Sequence, residues 1–155
     1  MKLANSKLLV LRQLDDKIMS FKPLINVNPT SRGWIHQIRT TLNISQVQLA
    51  KRLKVSPPAI ADLEKREAEG AVTLKSLKEA GEALNLKLVY GFVPLDSSLE
   101  AMVEKRAKEL AAKIIKRTSV TMKLEDQENS KNRLEEAFQE LTNDIKKEMP
   151  KSLWD

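Results

Sequence analysis

Apolar residues recur at three- and four-residue intervals along most of the chain, and this spacing predicts an all-α fold. The first predicted helix covers residues 2–20, with Leu8, Leu11, Ile18 and either Leu14 or Asp15 facing inward. Pro23 and the segment 26–30, which is rich in Asn and Pro, predict a break after it.

Four polar residues precede short apolar stripes and predict the caps of four further helices: Ser31, Ser45, Ser56 and Thr73. Pro57 suits the first turn of the third of these, because an N–H at that position has no helical partner. Asn43 and Asn85 are expected to end the first and the last. The expected core residues are Trp34, Ile35, Ile38, Leu42, Val47, Leu49, Ala50, Leu53, Ile60, Leu63, Leu74, Leu77, Ala80 and Leu84.

The C-terminal half begins with a β-like stretch, Leu86–Val93, which Pro94 ends. A long helix is predicted from Asp96 to about Arg117, and a final one from about Ser130 to Glu148. Between them, residues 118–130 could form one bent helix or two. These elements suggest three parts: a helix and linker (1–30), a compact helical domain (31–85), and a β-like segment with long helices (86–155).

The composition and charge of the chain favour a nucleic-acid-binding protein over an enzyme or a metalloprotein. The 155 residues carry a formal net charge of +6, which permits nucleic-acid binding, and eight basic residues face four acidic ones between positions 32 and 75. The chain has no cysteine and one histidine, His36, and it lacks a Gly-rich phosphate loop, metal-ligand spacing and a nucleophile motif. We therefore expect a cytoplasmic, non-enzymatic protein without metal, cofactor or membrane segment.

The stretch from Ser45 to Glu64 predicts a helix-turn-helix. Two short helices joined by a tight turn cross steeply, so a small residue is needed where they touch, and Ala50 meets that need. Val55, Ile60 and Leu63 would complete the shared core. The start of the second helix then stays exposed, as entry into the DNA major groove requires. The alternative is an amphipathic helix pair in an ordinary bundle.

This stretch resembles the Cro and phage-repressor (Xre-like) family in its Ser-Gln, Leu-Ala, Val-Ser and Leu-Glu pattern, and the resemblance extends from about Ser31 to Leu84. It implies a five-helix, lambda-repressor-like domain. It also implies a buried ion pair between the first and third helices of that unit, here Arg39 and Glu64. Lys54 departs from the pattern, because the turn position usually holds Gly, and a strained or altered turn is expected.

The resemblance also implies which residues meet double-stranded DNA. The groove-facing positions are Ser56, Pro57, Pro58, Ala59, Asp62 and Arg66. Lys54 in the turn is counted with them, and Gln46 is expected to bind phosphate, as Arg66 is. The set lacks an Arg, Asn or Gln early in the second helix, so readout of DNA shape is expected alongside base contacts. Such domains usually act as homodimers on inverted half-sites.

Across nearly its full length, the chain also resembles the mobile mystery protein A family, in five segments: Arg12 with Leu14–Asp15, Gly33–Arg39, Leu63–Leu74, Leu88–Pro94 and Thr121–Gln127. That resemblance implies an antitoxin-type repressor that binds a Fic-domain protein. Thr121 and Glu125 fit the start of a Fic-inhibitory helix motif, although Asp126 stands where Gly or Asn is usual. The motif alone favours the other interpretation of Thr121 and Glu125, a capped helix start with an exposed Glu. The alternative function is a simple phage-type dimeric repressor whose C-terminal half only dimerises.

Overall fold

The computed structural model describes residues 2–119 and 127–155, and these residues contain seven α-helices and no strand. The helices are α1 (Lys2–Met19), α2 (Trp34–Thr41), α3 (Gln46–Leu53), α4 (Pro57–Ala68), α5 (Leu74–Ala83), α6 (Leu99–Ser119) and α7 (Gln127–Glu148). Short 3₁₀ turns follow α1 at Lys22–Leu24 and α7 at Lys151–Trp154. The chain forms two compact units: a four-helix unit, Leu24–Gly91, and a three-helix unit, Met1–Pro23 with Phe92–Asp155.

The four-helix unit holds α2–α5 around one apolar core. Its buried residues are Ile35, Leu49, Ala50, Ile60, Leu63, Ala80 and Leu84, and Ile38, Leu53 and Leu77 pack against them. The core expected from the apolar spacing is therefore present in part. Five members of the expected set are instead exposed: Trp34, Leu42, Val47, Val55 and Leu74. They lie at helix ends or in the turn, where a helix of two or three turns no longer faces its neighbours.

Four helices of the four-helix unit end in the same backbone conformation. Asn43, Lys54, Gly70 and Asn85 all have positive φ, and the residue after each donates its N–H to a carbonyl five residues earlier. This left-handed ending satisfies carbonyls that the helix leaves unpaired. Asn43 and Asn85 thus end their helices as expected. Lys54, with φ 57°, supplies the turn between α3 and α4 without the glycine that favours it.

Two expected caps differ from the structure. Ser31 does not cap α2, because the helix begins at Trp34 and Gly33 occupies the cap position. Ser56 holds the cap position of α4, but its side chain accepts no cap hydrogen bond. Pro57 and Pro58 have no N–H to donate, and the N–H of Ala59 donates to the backbone oxygen of Ser56. Ser45 and Thr73, by contrast, cap α3 and α5 with their hydroxyl groups.

The three-helix unit is a bundle of α1, α6 and α7. Ala107 and Ala111 of α6 are fully buried, so their small side chains allow α7 to approach closely, and Val103, Ile145 and Leu153 complete the core. Of the two inward candidates on α1, Asp15 is buried and Leu14 is 46% exposed. The Asp15 carboxylate accepts hydrogen bonds from the N–H groups of Leu99 (2.6 Å) and Glu100 (2.9 Å) and so caps α6.

An ion-pair network ties the same three helices together. Glu100 accepts hydrogen bonds from Arg12 of α1 and lies 3.1 Å from the Lys146 ammonium of α7. The hydrogen bonds from Arg12 and Lys146 lower the pKa of Glu100 to about 2. No helix in the described ranges is both long and apolar enough to cross a membrane.

The β-like segment expected at Leu86–Val93 is not confirmed. It has no helix or strand assignment, and no second strand in residues 2–119 or 127–155 offers it a partner. A single strand cannot satisfy its own backbone, so β-prone residues alone do not make a sheet. The segment leaves large apolar side chains exposed, among them Val89, Tyr90 and Phe92. The five-helix count is likewise not confirmed, since Leu24–Gly91 contains four α-helices.

Candidate nucleic-acid interface

The candidate interface is built on α3 and α4, which the turn at Lys54 joins. The start of α3 is fixed by a reciprocal pair: Ser45 Oγ accepts from the N–H of Gln48, and Gln48 Oε1 accepts from the N–H of Ser45. Ala50 is 1% exposed and lies in the core with Leu49 and Ile60, so the two helices have little room between them. The pair is therefore held in one arrangement.

The N-terminal part of α4 is open to solvent. Ser56, Pro57, Pro58 and Asp62 are exposed and Ala59 is half-buried, so the structure brings the expected groove-facing residues onto one uncovered surface. The opposite side of α4 faces the core through Ile60 and Leu63. An element with one buried side and a free N-terminal end has the geometry that allows a helix to enter the major groove.

Arg66, expected to meet a phosphate, has a partner within its own helix. Its Nε lies 2.8 Å from Oδ2 of Asp62, one turn earlier, and the side chains are 41% exposed for Arg66 and 60% exposed for Asp62. An exposed pair of this kind is weak. Arg66 and Asp62 can therefore separate when a phosphate competes for the guanidinium group.

The expected pair, Arg39 and Glu64, lies in hydrogen-bond contact between α2 and α4. Arg39 Nε donates to Glu64 Oε1, and its terminal nitrogen donates to Oε2 at 3.2 Å, with both side chains about nine-tenths buried. Arg39 also donates to the backbone oxygen of Ile44 at 2.9 Å. Removing one member of such a pair leaves an uncompensated buried charge and costs about 3–5 kcal/mol. The pair therefore fixes the core side of α4.

His36 and Gln46 complete the surroundings of Glu64. His36 Nδ1 lies 3.0 Å from Glu64 Oε2, and Gln46 Nε2 lies 3.4 Å from the same oxygen. Burial raises the pKa of Glu64, but the hydrogen bonds from Arg39 and His36 outweigh it and hold that pKa below its ordinary value. Gln46, predicted to grip a phosphate, thus stands half-buried at the start of α3 beside this network.

A contact that the sequence did not suggest sets the start of α2. The Glu67 carboxylate accepts hydrogen bonds from the N–H groups of Trp34 (2.7 Å) and Ile35 (3.1 Å). Gly33, with φ 86°, makes the approach possible, since a Cβ there would lie 2.8 Å from Glu67 Cδ. The one available signal was that Gly33 stands directly before the apolar stripe of α2.

The Fic-inhibitory residues Thr121 and Glu125 lie outside the described residues. Within the described ranges, no group of three or more acidic or histidine side chains could hold a metal ion. Around α3 and α4, the structure thus brings together the polar network at Glu64 and the exposed N-terminal end of α4.

Comparison with known proteins agrees with this geometry. Residues 35–90 match the family model described as Helix-turn-helix, and the match includes α3, α4 and α5 in full. No curated protein and no solved structure matches the chain. The family is a DNA-binding regulatory domain that is typically non-enzymatic. Residues 35–90 are therefore an Xre-family helix-turn-helix domain.

Proposed function

We propose that this protein is a sequence-specific transcriptional repressor that binds an inverted repeat in the DNA of its own operon. The observation that carries the proposal is the uncovered N-terminal part of α4, with Ser56, Pro57, Pro58 and Asp62 exposed. A repressor acts by occupying a promoter, and a rigid domain with one free helix end is suited to that. Base readout would involve apolar contacts from Pro58 and Ala59 to thymine methyl groups.

Two kinds of contact should respond differently to substitution. Gln46→Ala is expected to weaken binding by a similar factor on every DNA sequence, because Gln46 would contact phosphate. Ala59→Ser is expected to change the preference among operator variants, because Ala59 would contact bases. Glu82→Gln, an exposed change on α5, serves as the control. Binding of each variant to a panel of single-base operator changes tests both roles, and an unchanged preference in Ala59→Ser would contradict the base-contact role.

The proposed active form is a homodimer. Two half-sites one helical turn apart, about 34 Å, require two copies of α4 related by a twofold axis. The exposed apolar side chains of Val89, Tyr90 and Phe92 support self-association, because a second copy would remove them from water. Sedimentation should give a dimer for the wild type and a larger monomer fraction for Phe92→Ser. A wild type that stays monomeric at micromolar concentration, free and on DNA, would contradict this form.

A second proposed role is that of an antitoxin that binds a Fic-domain protein. Its support is the resemblance to the mobile mystery protein A family, in particular the segments Gly33–Arg39 and Leu63–Leu74. Co-expression with a neighbouring Fic gene should give a complex that survives purification. Fic enzymes transfer AMP from ATP, and Glu125→Gln should weaken the inhibition of that reaction by this protein. A chain that purifies only with itself would favour the simple dimeric repressor instead.

A further inference from the structure

An open cleft of about 270 Å³ lies beside the DNA-reading part of α4. Its walls come from the residues just before and within α2, the start of α3, and one face of α4. The polar side chains that line it are Arg32, His36, Gln46, Glu64 and Lys65. One water occupies about 30 Å³ of liquid, so the cleft is large enough for a hydrated oxyanion.

The cleft has an excess of positive charge. Glu64 is the acidic residue in its lining, and both carboxylate oxygens already accept hydrogen bonds from Arg39, which cancels that charge. Arg32 and Lys65 stand exposed at the rim. Within the described residues neither has an acidic partner, and the one hydrogen-bond contact of Arg32 is with His36 Nε2 at 3.4 Å. Two cations without a counter-charge face the same space.

Small residues keep the cleft open. Ala61 and Ala68 line it on α4, one turn before and one turn after Lys65. A longer side chain at either position would occupy the space in front of the ammonium group. The cleft thus combines room, two cations that have no acidic partner among the described residues, and the side-chain amide of Gln46, whose second N–H can donate to an anion.

We propose that this cleft binds a phosphodiester of the DNA backbone through Arg32 and Lys65, outside the surface of α4 that reads bases. The proposal rests on the DNA-binding function proposed above and adds the residues that anchor the domain on the backbone. A phosphate at this point, beside the first turn of α3, would be gripped in addition to any phosphate near Arg66. Such contacts fix register and orientation and carry no sequence information themselves.

The first test measures duplex affinity against salt for Arg32→Gln, Lys65→Gln and the control Lys78→Gln, an exposed lysine on α5. Each lost phosphate contact makes the negative slope of log K against log salt shallower by about 0.9. We expect each cleft variant to bind several-fold more weakly to promoter and random DNA alike, with a slope smaller by about 0.9, and Lys78→Gln to match the wild type. Wild-type slopes in both cleft variants would overturn the proposal.

The second test uses the single histidine of the chain, His36, whose ring protons report on the cleft by NMR without further assignment. Duplex DNA should shift these signals in the wild type and in Lys78→Gln, and shift them less in Arg32→Gln and Lys65→Gln. Inorganic phosphate is titrated separately. A response to inorganic phosphate without a response to DNA would overturn the backbone assignment and indicate a free-anion site.

These results separate the two proposals. If the wild type binds promoter DNA while both cleft variants keep its affinity and salt slope, only the cleft assignment fails. If the wild type binds no DNA, the proposed function fails with it, and the phosphate titration of His36 still shows whether the cleft takes an anion.

Discussion

The carboxylate of Glu67, near the end of α4, accepts a 2.7 Å hydrogen bond from the backbone N–H of Trp34 and so caps α2 from a different helix. Gly33 lets α4 come this close. The contact joins the last turn of α4 to the first helix of the domain. Together with the Arg39–Glu64 pair, it fixes both the middle and the end of α4 against α2.

Glu67→Ala should lower the free energy of unfolding of the helix-turn-helix unit by about 1–2 kcal/mol, because two N–H groups at the start of α2 lose their acceptor. Urea unfolding followed by circular dichroism measures it. Glu69→Ala, two residues later and exposed, should change stability by less than about 0.5 kcal/mol. Equal effects of the two substitutions would contradict the capping role.

Sequence patterning predicted those features of the fold that depend on neighbours in the chain. The Ser45 and Thr73 caps, the left-handed Asn43 and Asn85, and the buried Leu49, Ala50 and Ile60 all follow from local spacing and side-chain type. Spacing alone places the cap of α2 at Ser31, which is wrong, because the acceptor of its first N–H groups is Glu67, more than thirty residues away. Spacing along one helix carries no information about such a partner.

The same limit applies to the three-helix unit and to the candidate interface. Asp15 was one of two inward candidates, and its task, capping α6, depends on contact between α1 and a helix more than eighty residues later. The segment 86–93 has strand-like composition, but a strand also needs a partner. The cleft between α2, α3 and α4 has no signal in the sequence, because Arg32 and Lys65 become neighbours only after folding.

Asp15→Ala should destabilise the bundle of α1, α6 and α7 by about 1–2 kcal/mol, because the first N–H groups of α6 lose a buried carboxylate acceptor. The adjacent Asp16 is exposed and provides a matched control. Urea unfolding should show a clear loss for Asp15→Ala and little change for Asp16→Ala. A larger loss of stability in Asp16→Ala than in Asp15→Ala would contradict the assignment of the α6 cap to Asp15.

Acidification should lower the free energy of unfolding, because Glu64 and Glu100 both have pKa values below the ordinary value for Glu. The unfolded chain, in which the pKa of a Glu is about 4.3, takes up protons first as the pH falls. The stabilisation from Glu100 is therefore complete above about pH 5 and is lost as the pH falls towards its native pKa of about 2.

Urea unfolding between pH 6 and pH 3 measures this loss. The decline should be shallower in Glu100→Gln, whose side chain does not titrate, and should match the wild type in Glu140→Gln, an exposed change on α7. An equally steep decline in Glu100→Gln would show that the contacts of Arg12 and Lys146 with Glu100 do not contribute.

Lys54→Gly should stabilise the helix-turn-helix unit by about 0.5–1 kcal/mol, because Lys54 holds a left-handed conformation that glycine adopts without steric cost. Asn stands at two other positions of this kind, so Lys54→Asn should give a smaller gain. Thermal unfolding of the three proteins tests the order. A loss of stability in both variants would mean that the Lys54 side chain contributes more than its backbone conformation costs.

We propose that the exposed end of α4 reads DNA, and a titration of the purified protein against its own promoter can contradict that claim. The measurement uses two salt concentrations, with random DNA of the same length as the control. We expect tighter binding to the promoter than to random DNA, and weaker binding to both at the higher salt concentration. Equal affinity for the two DNAs, or no binding to either, would contradict the claim.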